Sequence, residues 1–375
     1  MTPLSITNSK NSEVLRRFRD NLLDWYDESK RDLPWRKTSD PYSIWISEVM
    51  LQQTQVQKVL RYYTKFLAAL PTLESLAEAE LDTVLKLWEG LGYYARARNL
   101  HKAARHIVES YDGKIPQSCD ELVQIRGIGP YTAAAVASIA FSEARAVVDG
   151  NVVRVLSRLY HIDSDVGTQK VKQQLAEIAQ NLIDHEKPGD FNQAIMELGA
   201  TLCTPKTPKC LFCPVSDFCK AFHELDTPAR LPVKRPGKKV PHYNIASALI
   251  WDENYLFIDR RKESGMLGGL WEFPGQKIPE DGSAHETITK HVREEFELEV
   301  EVGDFCTEVK HAYTHFKITI HAYHCLYKSG EPKLTAATDW KWVKPDELHF
   351  YAFSTAHKKI IQKLISDFAS EHDTT

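Results

Sequence analysis

No run of apolar residues in this 375-residue chain is long enough to cross a membrane. The longest nearly apolar stretch, YTAAAVASIAF at 131–141, falls short of the ~20 residues a bilayer span requires. The N-terminal stretch MTPLSITNSKNSEV lacks the basic start and apolar run of a secretory leader. Cysteine is scarce and odd in number, seven in all, with four of them crowded into 203–219. A secreted domain stapled by disulfides is therefore excluded, and an intracellular protein is expected, cytoplasmic in a bacterium and nuclear or mitochondrial in a eukaryote. No short-period repeat and no low-complexity tract is present, which excludes a solenoid. Basic charge is not in excess either: 47 Lys and Arg stand against 51 Asp and Glu. A uniformly basic nucleic-acid binder is excluded, so any polyanion must be held by local patches and backbone donors.

What is present is an ordinary globular composition, 43% hydrophobic and 26% charged, which at this length predicts two or three domains. Residues 13–222 read as helix after helix, with acidic and basic residues in balance. The segment TPARLPVKRPGKKVP (227–241) is proline-rich and basic, cannot be helical for long, and reads as a linker. After it, YNIASALIWDENYLFIDRR reads as two strands joined at 252–254, SAHETITKHVREEF (283–296) as a helix, and HFKITIHAYHCLYK (315–328) as a strand. An all-α region is thus followed by an acidic α/β or α+β region.

Cys203, Cys210, Cys213 and Cys219 follow C-x6-C-x2-C-x5-C spacing. Four thiolates so close can surround one centre, either zinc or an iron–sulfur cubane, and the spacing alone leaves both open. In 119–141, Gly127 and Gly129 allow a sharp turn between helices, and Pro130 suits a first helical position. The backbone N–H groups of that second helix would favour an anion such as a DNA phosphate. A looser echo at 88–108 has Gly90 and Gly92 before a helix, with Arg98, Lys102 and Arg105 read as a solvated charged face. Asp40-Pro41 starts a helix running YSIWISEVMLQQTQV, on which Glu48 shares an apolar face with Ile44 and Leu51. Such a setting raises a carboxyl pKa and suits a general acid. Asp149 instead opens DGNVVRVLSRLY (149–160) as an N-cap, where backbone N–H groups would lower its pKa and keep it ionised. One acid and one carboxylate form the division of labour that breaks glycosidic bonds.

These motifs carry a family resemblance. LPWR (33–36), SEVMLQQTQV (47–56), WEGLGYYARARNLH (88–101), GIGPYTA (127–133), VDGNVVRVLSR (148–158), FNQAIMELG (191–199) and the cysteine spacing are similar to those of the MutY-type adenine DNA glycosylases. That family lies in the helix-hairpin-helix, endonuclease-III-like superfamily. The resemblance implies an all-α catalytic region over 1–222, with a six-helix barrel and hairpin at about 28–140 and N-terminal plus cluster-bearing helices. It implies one structural [4Fe–4S] cluster per chain on Cys203, Cys210, Cys213 and Cys219. A basic linker over 223–243 and an α/β Nudix-like (MutT-like) lesion-recognition domain over 244–375 would follow. The implied partner is double-stranded DNA with adenine opposite 8-oxoguanine or guanine, bound by a monomer and extruded by base flipping. Glu48 matches the acid that protonates adenine, and Asp149 the carboxylate that stabilises the sugar cation. Tyr131 and Asn151 match residues that orient the sugar and Asp149. Arg36 and Gln193 match residues near the flipped adenine, Gln53 and Tyr93 residues that wedge into the duplex. Tyr131 stands where the lyase branch carries a lysine, and a phenol forms no Schiff base, so a monofunctional enzyme is implied.

A working Nudix box holds Mg²⁺ through several glutamates. Here Arg293-Glu294 is followed by Glu295, Phe296 and Glu297, while Pro279, His285 and Val300 stand where glycine, glutamate and glycine are needed. The box is broken, and hydrolysis of free nucleotides is disfavoured. The turn His311-Ala312-Tyr313-Thr314-His315 resembles the family's Phe-Ser-His lesion-reading loop, with Thr314 in place of serine. Two enzyme alternatives, a thymine-glycol-type lyase and a nucleotide-pool hydrolase, are opposed by Tyr131 and the broken box. A silent lesion sensor is opposed by the presence of both Glu48 and Asp149.

Overall fold

A computed structural model describes residues 10–235 and 240–372. The chain divides into two compact units, one of Met1–Ala77 with Lys102–Gly237, the other of Glu78–His101 with Lys238–Thr375. The middle of the expected linker, 236–239, lies outside the described residues.

The first unit is helical. Its helices start where the sequence supplies caps. Asp40 accepts from the backbone N–H groups of Tyr42 and Ser43 and opens Pro41–Leu51. Gly129 and Pro130 open Pro130–Phe141, whose small, almost wholly buried residues let it pack closely on Pro41–Leu51. Asp149 opens Gly150–Leu159, and Pro188–Thr201 packs against both it and Pro130–Phe141. The Glu48 helix is shorter than its apolar pattern predicts. It stops at Leu51 instead of running to Val56, because Gln53 adopts a left-handed backbone, φ +56°. The first part of the expected linker is packed: Pro228–Arg230 forms one 3₁₀ turn, and Leu231 is buried with Ala221 and Leu225.

The second unit holds a seven-stranded mixed sheet: β1 (His242–Asp252), β2 (Tyr255–Arg260), β3 (Trp271–Glu272), β4 (Gly275–Lys277), β5 (Glu299–Ala312), β6 (Lys317–Ser329) and β7 (Asp339–Val343). The order is β3-β2-β1-β6-β5, with β4 also on β1 and β7 on β2. β1 and β6 run parallel, from His242 opposite Lys317 to Trp251 opposite Leu326. Alternate residues of β1 serve opposite faces. Ala246, Ala248 and Ile250 pack with Ile288, Val292 and Phe296 of the helix Ala284–Phe296, and Leu249 with Ala356, Ile360 and Leu364 of the helix Thr355–His372. Helices therefore cover both faces. Residues of the broken Nudix box have structural duties. Glu295 accepts from the backbone N–H groups of Ala336 and Ala337, Arg293 pairs with Glu299, and Glu297 accepts from Lys333. Residues 78–101 carry the helix Leu81–Trp88 and the start of Ala95–Ser110. Arg98, expected on a solvated face, is buried there, donating to the carbonyls of Gly268 and Gly265. The helical period gives its direction but not its partner.

Candidate active site

One cleft of about 560 Å³ in the first unit gathers most of the residues singled out by sequence. Arg36, Glu48, Gln53, Gly127, Gly129, Tyr131, Asp149, Asn151 and Gln193 all line it. Glu48 sits on a helix buried nearly all round and is itself 4% exposed. The Tyr131 hydroxyl, brought by the helix after the hairpin, donates to Glu48 Oε2 at 2.6 Å. Burial raises the Glu48 pKa to about 7. The Tyr131 hydrogen bond and the Arg36 charge oppose that rise, and Asp149 adds to it. Burial, with Glu48 and Asp149 nearby, also pushes the Tyr131 phenol well above its ordinary value.

Asp149 is held from two sides. Its Oδ1 accepts from the Val152 backbone N–H at 2.7 Å, and its Oδ2 from Asn151 Nδ2 at 2.8 Å. The N-cap geometry is as expected, but the net pKa direction is the reverse. Burial in the cleft raises the Asp149 pKa, and the N–H bonds that lower it do not fully compensate. The Asn151 position depends on Gly199 of the helix Pro188–Thr201, where an added Cβ would fall 2.7 Å from that of Asn151. In the hairpin, Gly127 carries the left-handed backbone, φ +106°, while Gly129 is extended and faces open space.

Sequence reasoning missed the other wall of the cleft. Glu197 is 1% exposed and accepts from both Arg31, at 2.7 and 2.6 Å, and Arg36, at 2.8 Å. Burial alone would raise its pKa, but the hydrogen bonds and charges of the two guanidinium groups outweigh it and hold the carboxyl at about 2. The signal was available in ELG at 197–199, but its arginine partner lies 166 residues away. Arg36 is thereby pinned beside Glu48's cleft with its guanidinium over the Tyr26 ring.

Tyr93, Thr314 and His315 belong to the second unit. Tyr93, φ +50° and 41% exposed, shares a 2.5 Å hydrogen bond with Thr314 through the two hydroxyls. His315 is exposed in the same turn.

All seven cysteines are free. Cys203, Cys210, Cys213 and Cys219 lie near enough to influence one another electrostatically. Among the described residues no three ligating side chains close on a single metal ion. The Arg158 guanidinium, on a residue 1% exposed, donates to Cys203 Sγ at 3.2 Å and to the carbonyls of Cys203, Thr204 and Pro205. Four mutually interacting thiols, with a buried cation against one of them, suit a thiolate-held anionic centre.

Residues 46–181 match the family described as HhH-GPD superfamily base excision DNA repair protein, and residues 246–363 match the NUDIX domain. The helical core and its acid-lined cleft thus define a base-excision repair protein of the helix-hairpin-helix class with a Nudix domain attached. Adenine DNA glycosylases of Rattus norvegicus and Homo sapiens are 36% and 37% identical over 92% of this chain, matching 77% and 73% of their own lengths. The solved structure of a thermostable thymine-DNA glycosylase, 30% identical, covers 58% of this chain and 99% of its own with a TM-score of 0.52. The chain belongs to the adenine DNA glycosylase family.

Proposed function

We propose that this enzyme hydrolyses the N-glycosidic bond of adenine paired with 8-oxoguanine, and also with guanine, in double-stranded DNA. The observation that carries the reading is the pairing, in one cleft, of a buried, Tyr131-bonded Glu48 with a helix-capping Asp149. Burial raises both carboxyl groups, but they are held differently. Glu48 reaches about 7 and holds a proton near neutrality, while the N–H bonds from Val152 and Asn151 favour the Asp149 carboxylate.

The reaction follows from that difference. The adenine is flipped out of the stack into the cleft, at a cost of a few kcal/mol. Glu48 donates its proton to N7 of the base. The glycosidic bond then breaks, its electron pair leaving with the neutral adenine. The Asp149 carboxylate stabilises the positive sugar, and Asn151 fixes the carboxylate by its bond to Oδ2. Water adds to C1′, and its proton returns to the ionised Glu48, restoring the acid. Arg36 and Gln193 face the flipped base, and Gln53 wedges into the duplex. Tyr131 carries no amine, and Val153 stands two residues after Asn151, so no Schiff base forms and the enzyme is monofunctional.

Cys203, Cys210, Cys213 and Cys219 would hold one structural [4Fe–4S] cluster, whose chemistry here is to fold the lysine-bearing loop 203–219. Residues 1–222 form the catalytic region, 223–243 the linker and 244–375 the lesion-recognition domain, with Thr314 and His315 reading 8-oxoguanine and Tyr93, bonded to Thr314, wedging into the duplex beside it. The protein acts as a monomer. Excision from duplexes carrying adenine opposite 8-oxoguanine, guanine or thymine tests the assignment. Fastest release opposite 8-oxoguanine, then guanine, is expected. Equal rates opposite all three would overturn it.

A further inference from the structure

The 2.5 Å bond between Tyr93 and Thr314 joins two exposed hydroxyls. In water such a bond contributes little by itself, so the pair stays aligned only if both backbones are fixed. The turn bearing Tyr93 is fixed from within: Gly92 O accepts from Trp88 Nε1 at 3.1 Å and from Arg96 Nη2 at 3.0 Å. It is fixed from outside through Glu89, whose side chain is 8% exposed. That carboxylate accepts from the Phe353 backbone N–H at 2.9 Å and from the ammonium groups of Lys86 and Lys358, each at 3.0 Å. Lys86 also donates to Tyr351 O at 2.8 Å, and the Tyr94 hydroxyl to Phe353 O at 3.3 Å. Phe353 belongs to the buried cluster against which Tyr313 and Phe316 pack, the residues that flank Thr314 and His315. A continuous packed path therefore runs from Glu89 through Phe353 to the Thr314 turn.

We propose that Glu89 is a positioning residue for lesion discrimination, clamping the Tyr93 turn to the 351–358 segment so that Tyr93 and Thr314 stay in register. The inference rests on the roles proposed for that pair, Thr314 in reading the lesion and Tyr93 in wedging beside it. The sequence holds no other acid in the turn, and the carboxylate satisfies a backbone donor and two cations at once.

The test compares single-turnover excision and binding of the full-length protein on duplexes with adenine opposite 8-oxoguanine and opposite guanine. Glu89→Ala should lower the preference for 8-oxoguanine about tenfold, while excision opposite guanine stays within about twofold. Glu89→Gln should retain most of the preference, because its amide oxygen still accepts from Phe353 N–H. Combining Glu89→Ala with Thr314→Ala should cost no more preference than Thr314→Ala alone, since both act through one pair. Thermal melting of each variant checks the fold. If Thr314→Ala lowers the preference and Glu89→Ala does not, or if Glu89→Ala slows both duplexes equally, the proposal for Glu89 fails by itself. If Thr314→Ala has no effect, the lesion-reading role fails and takes this inference with it.

Discussion

Glu48 must hold a proton where almost no water reaches it, and that requirement governs its behaviour with pH. Its pKa in the folded chain is about 7 against an ordinary 4.5. A folded-state value above the unfolded one means the folded state binds the extra proton, so the Glu48 contribution to stability falls as pH rises from about 4.5 to about 7. Glu48→Gln removes the cost of ionising a buried carboxyl. The variant should therefore be more stable than wild type above pH 7, by on the order of 3 kcal/mol, with the difference shrinking as pH falls toward 4.5. Urea titrations at several pH values read this directly. The same proton sets the rate: single-turnover excision should fall about tenfold per pH unit well above 7. Tyr131→Phe removes a hydrogen bond that lowers the Glu48 pKa, so its rate should persist to higher pH than that of wild type. A descending limb unmoved by Tyr131→Phe would contradict the coupling. Glu48 was legible in the sequence because helical spacing places it among Ile44 and Leu51. The pKa direction of Asp149 was not, since a cap motif reveals the N–H donors but not the depth of the cleft around them.

At the scale of elements, the cleft depends on how closely the helix Pro188–Thr201 approaches Gly150–Leu159. Gly199 has no room for a side chain: an added Cβ would lie 2.7 Å from Asn151 Cβ and 3.2 Å from its Cα and carbonyl oxygen. Gly199→Ala should push the Asp149 cap out of place, slowing excision at least tenfold with a loss of about 1–3 kcal/mol in stability. Activity at wild-type level with unchanged melting would contradict this packing argument. Helix starts were legible from Asp40-Pro41, Gly129-Pro130 and Asp149, where side-chain chemistry decides the backbone locally. The end of the Glu48 helix was not, because the left-handed Gln53 carries no local signal such as glycine. β3 and β4, two and three residues long, are too short to show an alternating pattern.

For the whole molecule, the bipartite plan was legible from the change of hydrophobic period near residue 240. The allegiance of residues 78–101 to the C-terminal unit was not. A helix announces an apolar face, but which surface covers it depends on contacts such as Arg98 to Gly268, 170 residues away. Arg31 and Glu197 escaped notice for the same reason. The cysteine loop makes its own prediction. Purified protein should carry iron and sulfide stoichiometric with one cubane, and Cys213→Ser should lose both and melt at lower temperature. Stoichiometric zinc without iron would contradict the cluster.

The division of labour between Glu48 and Asp149 is tested most directly by single-turnover release of adenine from a duplex with 8-oxoguanine opposite, comparing wild type with Glu48→Gln at pH 7. The variant should bind the duplex as tightly as wild type yet release adenine about 10²–10⁴-fold more slowly. Release within a few-fold of wild type would contradict it, because the base would then be leaving without the proton that Glu48 supplies.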